Sequence, residues 1–271
     1  MFDRSLVITA DDFGASLAVN EAVEQAHRDG ILTAASLMVT GEAVGDALER
    51  ARRLPKLGAG LHLVLVDGRP ALPPEQVPAL VGADGLFRTD MVGTAFAIAL
   101  SRSARRQLEA EIAAQFAAFA ATGLPLDHVN AHKHFHLHPM IASAVLKVGR
   151  RHGVRSVRAP VEQGHKGIEG WWARRLRARL RKAGLTVPDQ VIGLRWSGAF
   201  DTARMRAALE GLPPGLTEIY THPATADAYP GSAPGYRYRD ELAALIDPVA
   251  KSLLVGKRVA HGNFGTFAGA S

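Results

Sequence analysis

The sequence predicts an α/β protein built around a parallel sheet. Short apolar runs alternate with helix-like segments along most of the chain, beginning with Ser5–Ala10 ahead of Ala18–Arg28. Several of these runs stop at acidic, histidine or arginine residues, and ligands bind at the carboxyl ends of strands in proteins of this class. Helices must cover the sheet, but the alternation fits a barrel and an open doubly wound sheet equally well.

The remaining elements follow from the same alternation of patterns. The other predicted strands are Leu32–Val39, Gly58–Val64, Leu126–Ala131, Val154–Arg158, Val191–Trp196 and Leu216–Thr221. Further helices are predicted at 42–54, 104–121, 140–152, 202–210 and 239–253. Two Pro- and Gly-rich stretches, Gly68–Asp90 and Thr221–Gly235, are predicted to be long loops, the first a candidate lid. Because neither separates halves of different composition and no internal repeat is present, we predict one domain over residues 1–271.

Composition indicates a globular protein and limits the chemistry it can perform. The 271 residues are 47% hydrophobic and 21% charged, which is enough apolar material for a substantial core. The absence of cysteine excludes disulfides, thiolate metal sites and a cysteine nucleophile. Any metal ion would therefore be bound by histidine, carboxylate or water.

Basic residues outnumber acidic ones, 32 to 26, which gives a formal charge of +6. Such an excess favours contact with nucleic acid, anionic lipid or an acidic substrate, depending on where the charge lies. The first apolar run ends in two acids and not in a small-residue cleavage site, so no signal peptide is predicted. No apolar stretch reaches the roughly 18 residues of a spanning helix. These features predict a cytoplasmic protein.

Two adjacent carboxylates, Asp11 and Asp12, end the first predicted strand. A single aspartate there would serve as the N-cap of the following helix. Two adjacent acids repel each other unless a cation or a proton intervenes. We therefore interpret the pair as a candidate catalytic or metal-binding site.

Histidines mark two further strand ends. His62 lies inside an apolar run, where a lone histidine is more often a hydrogen-bonded core residue than a ligand. The segment Asp127–Pro139 holds five of the eleven histidines, namely His128, His132, His134, His136 and His138. In an extended segment they would line one face, which is more imidazoles than one metal ion accepts. Some of them must then serve the substrate or the structure.

Two late strands are predicted to end at Arg158 and His222. Arg158 is either a solvated arginine or one that orients a carboxylate through a bidentate hydrogen bond. His222 can protonate a leaving group near neutral pH. Two imidazoles and a carboxylate would leave a metal ion open to water and substrate, as hydrolysis requires. Six residues are predicted to share the rim of strand ends: Asp11, Asp12, His62, His132, Arg158 and His222.

Four motifs, in the same order, give the chain a resemblance to the YdjC-like carbohydrate deacetylases. They are Ala10-Asp11-Asp12-Phe13-Gly14, Gly60-Leu61-His62-Leu63, His132-Lys133-His134-Phe135-His136 and His222-Pro223. The match covers most of the chain. The resemblance implies a polysaccharide-deacetylase-like (β/α) barrel that is TIM-like and distorted or incomplete relative to eight repeats.

The resemblance also implies roles for the rim residues. The metal ligands would be Asp12, His62 and His132. Asp11 would be the catalytic base, oriented by Arg158, and His222 would be the acid. The bound ion would be a single divalent cation, and both Mg²⁺ and Zn²⁺ suit this ligand set.

One position departs from the family pattern. Asn130 stands two residues before the ligand histidine, where the family often has aspartate. The change removes a charge beside the metal ligands, so we expect an altered metal affinity.

The implied activity is hydrolysis of the N-acetyl group of an amino sugar. The motifs look most like those of the hopanoid-biosynthesis-associated branch of the family, which implies an N-acetylglucosaminyl hopanoid lipid as substrate. A chitooligosaccharide is the alternative substrate, and a non-catalytic metal- or lipid-binding protein is the alternative of another class. Glycoside cleavage by Asp11 and Asp12 is disfavoured, because adjacent residues rarely place two carboxyls across a bond at ~5 Å or more.

A lipid substrate would require contact with a membrane, and Trp171–Lys182 is the candidate segment. Written as a helix, it places Trp172, Leu176 and Leu180 on one face. The other faces carry Arg174, Arg175, Arg177, Arg179, Arg181 and Lys182. The segment is either an ordinary barrel helix or a basic amphipathic helix at the inner face of an anionic membrane. No nucleic-acid recognition motif accompanies it, so nucleic acid is not a predicted partner; a homodimer is left open.

Overall fold

A curled parallel sheet forms the centre of the computed structural model, which describes residues 3–164, 166–256 and 259–268. Within these residues the strands are β1 Arg4–Phe13, β2 Ala34–Leu37, β3 Gly58–Leu63, β4 Val129–Ala131, β5 Gln190–Ile192, β6 Gly215–Thr221 and β7 Ala260–His261. Their order is β4-β3-β2-β1-β6-β5, and β7 pairs with the beginning of β1. All of these pairings are parallel.

Helices follow most of the strands and cover the sheet. They are α1 Leu17–Asp29, α2 Val44–Arg53, α3 Met91–Leu100, α4 Arg102–Ala121, α5 Pro139–Gly149, α6 Gly167–Lys182, α7 Thr202–Glu210, α8 Tyr238–Leu245, α9 Pro248–Gly256 and α10 Phe264–Phe267. Short 3₁₀ turns occupy Pro74–Gln76, His132–Leu137, Arg150–His152 and Leu194–Trp196. Side-chain N-caps at Ser16, Asp90, Ser101 and Asp201 each accept a bond from a free backbone N–H of the first turn.

The sheet continues past β4 through an irregular segment. The backbone N–H of Arg158 donates to Val129 of β4 (3.0 Å), and the N–H of Val191 in β5 donates to Val161 (2.8 Å). The segment between Arg158 and Val161 thus links the two edge strands and curls the sheet into a partial barrel. The predicted α/β barrel that is TIM-like and distorted or incomplete is confirmed.

The central strand β1 is buried on both faces, as expected for a parallel strand between layers of helices. Leu6, Val7 and Ile8 have no exposed surface. Amphipathic helices such as α1 place their alanines and valines against the sheet. This arrangement fixes the carboxyl ends of β1, β3, β4 and β6 at one edge of the core.

Four predicted strands are shorter than expected by two or more residues. Leu32–Val39 is reduced to Ala34–Leu37 and Leu126–Ala131 to Val129–Ala131. The other two have identifiable causes. In Val154–Arg158 only Ser156 and Val157 form isolated bridges, because the paired segments are short and Pro160 has no N–H to continue the ladder. The predicted strand Val191–Trp196 ends after Ile192, since Gly193 adopts a φ of 130° and a 3₁₀ turn follows.

The predicted helix 239–253 is two helices. α8 ends at Leu245, and α9 starts at Pro248, which cannot continue a helix because it has no backbone donor. The helix α3 was not predicted, because Met91–Leu100 contains no charged residue and so shows no polar face. The expected lid Gly68–Asp90 is partly buried, with Val77, Leu80 and Phe87 packed in the core.

Gly60 in β3 provides a test of this packing. A Cβ at residue 60 would lie 2.3 Å from the His128 ring, which Ser36 (2.9 Å) and Asp127 (2.9 Å) hold from both sides. Because the ring cannot move aside, Gly60→Ala should lower the free energy of unfolding by about 1–3 kcal/mol in urea titrations. Gly45→Ala in α2 is the matched control: its Cβ meets nothing within 4 Å, so we expect a stabilisation of about 0.5–1 kcal/mol. Equal stabilities for the two variants would contradict the packing.

Candidate metal centre

Three potential metal ligands meet at the carboxyl ends of β1, β3 and β4. Asp12 Oδ1 lies 3.2 Å from His62 Nε2 and 3.2 Å from His132 Nδ1, and the ligand atoms of all three residues lie within 4.8 Å of one another. Two atoms bound to one ion at about 2.0–2.2 Å are about 3–3.5 Å apart, so these spacings fit a shared cation. The side chains of His132 and Asp12 are 20% and 14% exposed, which leaves the group accessible from one side.

His62 presents an unpaired nitrogen to this group. Its Nδ1 donates to Asn130 Oδ1 (2.6 Å), and its Nε2 is buried without a hydrogen-bond partner in the part of the chain that the structure describes. A proton on Nδ1 leaves the Nε2 lone pair free for a cation. Burial would lower the pKa of His62, but Asp11 and Asp12 raise it above its usual value. A proton on the ring would compete with a metal ion, so metal affinity should decrease as the pH falls.

An irregularity at the end of β1 brings both aspartates to the same edge. Adjacent side chains of a regular strand point to opposite faces, but the β1–β2 register shifts between Ala10 and Phe13, and Asp12 adopts a left-handed φ of 62°. Residues other than glycine rarely adopt this conformation, although aspartate tolerates it better than most. Strain of this kind is concentrated at functional sites.

Asp11 is held by a buried arginine. Arg158 donates to Asp11 Oδ2 from Nη1 (2.5 Å) and to Oδ1 from Nη2 (3.0 Å). Burial would raise the pKa of Asp11, but the Arg158 guanidinium holds it well below its usual range. Asp11 is therefore an ionised carboxylate beside the three candidate ligands.

Asn130 connects the two halves of the site. Its Nδ2 donates to Asp11 Oδ1 (2.9 Å) and to Ser36 Oγ (2.9 Å). Its Oδ1 accepts a hydrogen bond from His62 Nδ1. An ionised aspartate could accept from His62 but could not donate to Asp11, which it would repel. The departure from the family pattern thus gives a bridging amide whose effect on metal affinity stays a prediction.

The prediction that the five clustered histidines line one face is wrong. Only Val129–Ala131 is a strand, and the 3₁₀ turn after it contains Lys133 and His134 at left-handed φ values of 51° and 53°. The imidazoles therefore point in different directions. His128 contacts Ser36 and Asp127, His132 contacts Asp12, His134 contacts Tyr220 (3.2 Å), and His136 donates to the Arg158 carbonyl (2.8 Å). His138 precedes α5, and its Nδ1 has no hydrogen-bond partner among residues 3–164, 166–256 and 259–268.

His222 follows β6, the neighbour of β1, so it lies at the same edge. Its Nδ1 is buried 4.0 Å from Glu241 Oε2 and has no hydrogen bond to any residue that the structure describes. Glu241 accepts bonds from the backbone N–H groups of His222 and Phe200, and burial raises its pKa. The buried Glu241 carboxyl therefore lies behind the His222 ring, on its Nδ1 side.

Three polar residues of the site were not predicted from the sequence: Ser36, Glu218 and Glu241. Glu218 has no exposed surface and lies in the middle of β6. A charged residue between the apolar positions of a buried strand was the signal that could have revealed it. The serine and Glu241 gave no comparable signal.

The basic segment Trp171–Lys182 belongs to α6, which packs as a barrel helix. Leu176 and Leu180 are buried and Trp172 is half-buried. Trp171 is 45% exposed with the guanidinium of Arg175 4.7 Å from its ring centroid. Within the described residues, every helix is too short or too polar to span a bilayer.

The fold and the rim define an α/β partial barrel with an open Asp/His/His group at the carboxyl ends of its strands. Residues 5–255 match the family described as YdjC-like protein, and the chain belongs to that family.

Several relatives and a solved structure are similar to the chain. A carbohydrate deacetylase of Brevibacillus brevis is 39% identical over 149 residues, 55% of this chain and 57% of the relative. A carbohydrate deacetylase of Geobacillus stearothermophilus is 30% identical over 250 residues, 90% of each chain. The chain is also similar to the crystal structure of an Enterococcus faecalis V583 protein, described as a candidate cellobiose-phosphate cleavage protein. The match covers 98% of this chain and 99% of that chain, with a TM-score of 0.82 and 24% sequence identity. This structural match supports the fold alone.

The three-residue group leads to a binding prediction. His132→Ala removes one of the three ligand atoms, so we expect the affinity for Zn²⁺, measured by calorimetry, to fall at least about 100-fold. His138→Ala is the matched control from the same histidine-rich segment and should keep the affinity of the unmodified protein. Equal affinities for both variants would exclude His132 as a ligand.

A second prediction concerns pH. Burial lowers the pKa of His136 to about 4, against about 6.5 in an unfolded chain. Between these values the unfolded state binds more protons, so stability decreases as the pH falls through this window. His136→Gln keeps a donor for the Arg158 carbonyl but does not titrate. In urea titrations with a chelator present, the loss of stability from pH 7 to pH 5 should be about 2 kcal/mol smaller in this variant. If the variant loses as much stability between pH 7 and pH 5 as the unmodified protein, His136 is not buried in its neutral form.

Proposed function

We propose that the protein is a metal-dependent hydrolase that removes the N-acetyl group from an N-acetylated amino sugar. One observation carries the proposal: an open Asp12/His62/His132 group lies beside an ionised Asp11. Membership of the YdjC-like family and the carbohydrate deacetylases among its relatives support it.

The three candidate ligands fit a divalent cation. His62 Nε2 has no hydrogen-bond partner within the described residues, and the group combines two imidazoles with one carboxylate. Such an ion supplies Lewis-acid activation of water and of the acetyl carbonyl. Both Mg²⁺ and Zn²⁺ remain compatible with these donors.

Asp11 is the proposed base. Its carboxylate stays ionised because Arg158 pairs with both of its oxygens. It accepts a proton from the attacking water, whose oxygen bonds to the acetyl carbon. Arg158 keeps the carboxylate in one orientation throughout and does not exchange protons.

His222 is the proposed acid. Its Nδ1 faces Glu241, so the ring is oriented by the buried carboxylate and by its contact with Tyr220. The C–N bond of the amide breaks, and His222 transfers a proton to the departing nitrogen. The products are acetate and the free amino sugar.

The proposed substrate is an N-acetylglucosaminyl hopanoid lipid, with a chitooligosaccharide as the alternative. The choice of a lipid substrate is supported by the resemblance of the motifs and by the surface of α6. The exposed Trp171 and the cationic residues of α6 suit the surface of an anionic membrane. Peripheral contact through 171–182 would bring the enzyme to such a substrate.

An acetate-release assay tests the function and its base together. Metal-loaded protein receives either chitobiose or N-acetylglucosaminyl hopanoid in vesicles, with and without anionic lipid. We expect acetate from the hopanoid, faster with anionic lipid present. At saturating metal, Asp11→Asn should keep metal bound but lower kcat by about 100-fold to 10,000-fold, while the exposed control Asp84→Asn should match the unmodified protein.

Each other outcome assigns a different function. Acetate from chitobiose alone would assign the chitooligosaccharide activity, and metal binding without acetate from either compound would indicate a binding protein. Full turnover by Asp11→Asn would refute its role as base.

A further inference from the structure

The buried arginine at the site binds two carboxylates. Besides Asp11, Arg158 donates to Glu218 Oε1 from Nε (3.0 Å) and from Nη2 (2.7 Å). Arg158 and Glu218 have no exposed surface, and Asp11 is 2% exposed. Glu218 therefore holds the side of the guanidinium that Asp11 does not use, and Nη2 is shared between the two acids.

Glu218 is itself anchored to the strand that carries the aspartates. Thr9 in β1 donates its hydroxyl to Glu218 Oε1 (2.9 Å). The same oxygen accepts three bonds, while Oε2 is buried without a hydrogen-bond partner among the described residues. The carboxylate thus joins β6 to β1 and to the segment that carries Arg158.

A second buried carboxylate needs a physical reason. Arg158 and Asp11 alone would form a neutral pair, and every further buried charge costs desolvation energy unless it is compensated. The carboxylates of Asp11, Asp12 and Glu218 and the Arg158 guanidinium form a group with two negative charges in excess; Glu241 lies behind His222 and is not part of this group. That excess equals the charge of one divalent cation, and the group that could hold such an ion lies beside Asp11.

We propose that Glu218 is a positioning residue with two effects on the site. It fixes the Arg158 guanidinium so that its remaining donors face both oxygens of Asp11, and its charge balances Arg158 so that the rim attracts a divalent cation. The inference rests on the proposed function for its link to turnover, but the effect on metal binding is independent of the substrate.

The two effects are separable by substitution. Glu218→Gln keeps the shape but removes the charge, so Arg158 would make the rim more positive. We expect Zn²⁺ affinity to fall about 10-fold to 100-fold, the range seen when partners of metal ligands are replaced. kcat should fall by a similar factor with little change in KM, because the substrate does not contact this buried residue.

Glu218→Asp keeps the charge but shortens the side chain by one methylene. We expect this variant to bind Zn²⁺ within about threefold of the unmodified protein, while its kcat stays reduced because the guanidinium is no longer held in place. A merely structural role would instead lower the melting temperature in both variants without this separation of affinity from kcat.

The matched control is Glu111→Gln in α4. Glu111 is also fully buried, and it accepts bonds from the backbone of Ala71 and Leu72 and from the Gln115 side chain, none of which is a candidate ligand. Its substitution should change stability but not Zn²⁺ affinity.

Calorimetric Zn²⁺ titration and melting temperatures are measured on all three variants, followed by acetate release. Undiminished Zn²⁺ affinity in Glu218→Gln would overturn the proposal, as would an equal loss of affinity in Glu218→Asp and Glu218→Gln. If Glu218→Gln does not fold, kcat is compared between Glu218→Asp and Glu111→Gln. A reduced kcat in Glu218→Asp alone supports the proposal, and equal values overturn it. If the unmodified protein binds Zn²⁺ but releases no acetate, the proposed function fails, and the metal affinities still test the effect of Glu218.

Discussion

The fully buried guanidinium of Arg158 is the interaction on which the site depends. It joins β1 through Asp11 and β6 through Glu218, while its own backbone is hydrogen-bonded to β4. Desolvating an arginine is unfavourable unless several hydrogen bonds compensate, and removing one partner of a buried ion pair typically costs about 3–5 kcal/mol. The hydrogen bonds of Arg158 therefore hold these strand ends in one arrangement. They also keep the carboxylate of Asp11 in a fixed position beside the candidate ligands.

The parallel sheet explains why residues so distant in sequence meet. β1, β3, β4 and β6 all point the same way, so the residues at their carboxyl ends share one edge. Asp12 needs one local exception, the register shift and left-handed conformation at the end of β1. Without it, adjacent side chains would face opposite sides of the sheet.

Much of this arrangement was predictable from the sequence, because strand ends follow from where apolar runs stop. The helix 202–210 and the strand ending at Thr221 have the bounds that the pattern indicates to within one residue. The convergence of Asp12, His62 and His132 followed from the same reasoning. The directions of the clustered histidines did not, because they depend on two left-handed residues that no side-chain pattern reveals. Glu218 was missed because its partners, Arg158 and Thr9, are 60 and 209 residues away in sequence.

Chemistry and substrate choice are carried by different parts of this molecule. The candidate ligands, Asp11 and Glu218 lie on strands or directly after them, where backbone pairing and burial hold them rigidly. Under the proposed function, an extended substrate would instead meet segments between strands and helices, such as Thr221–Gly235, which carries Tyr229. Changes in those segments can alter which N-acetylated sugar is bound without disturbing the buried charges. The strand ends therefore limit the type of reaction, and the connecting segments limit the substrate.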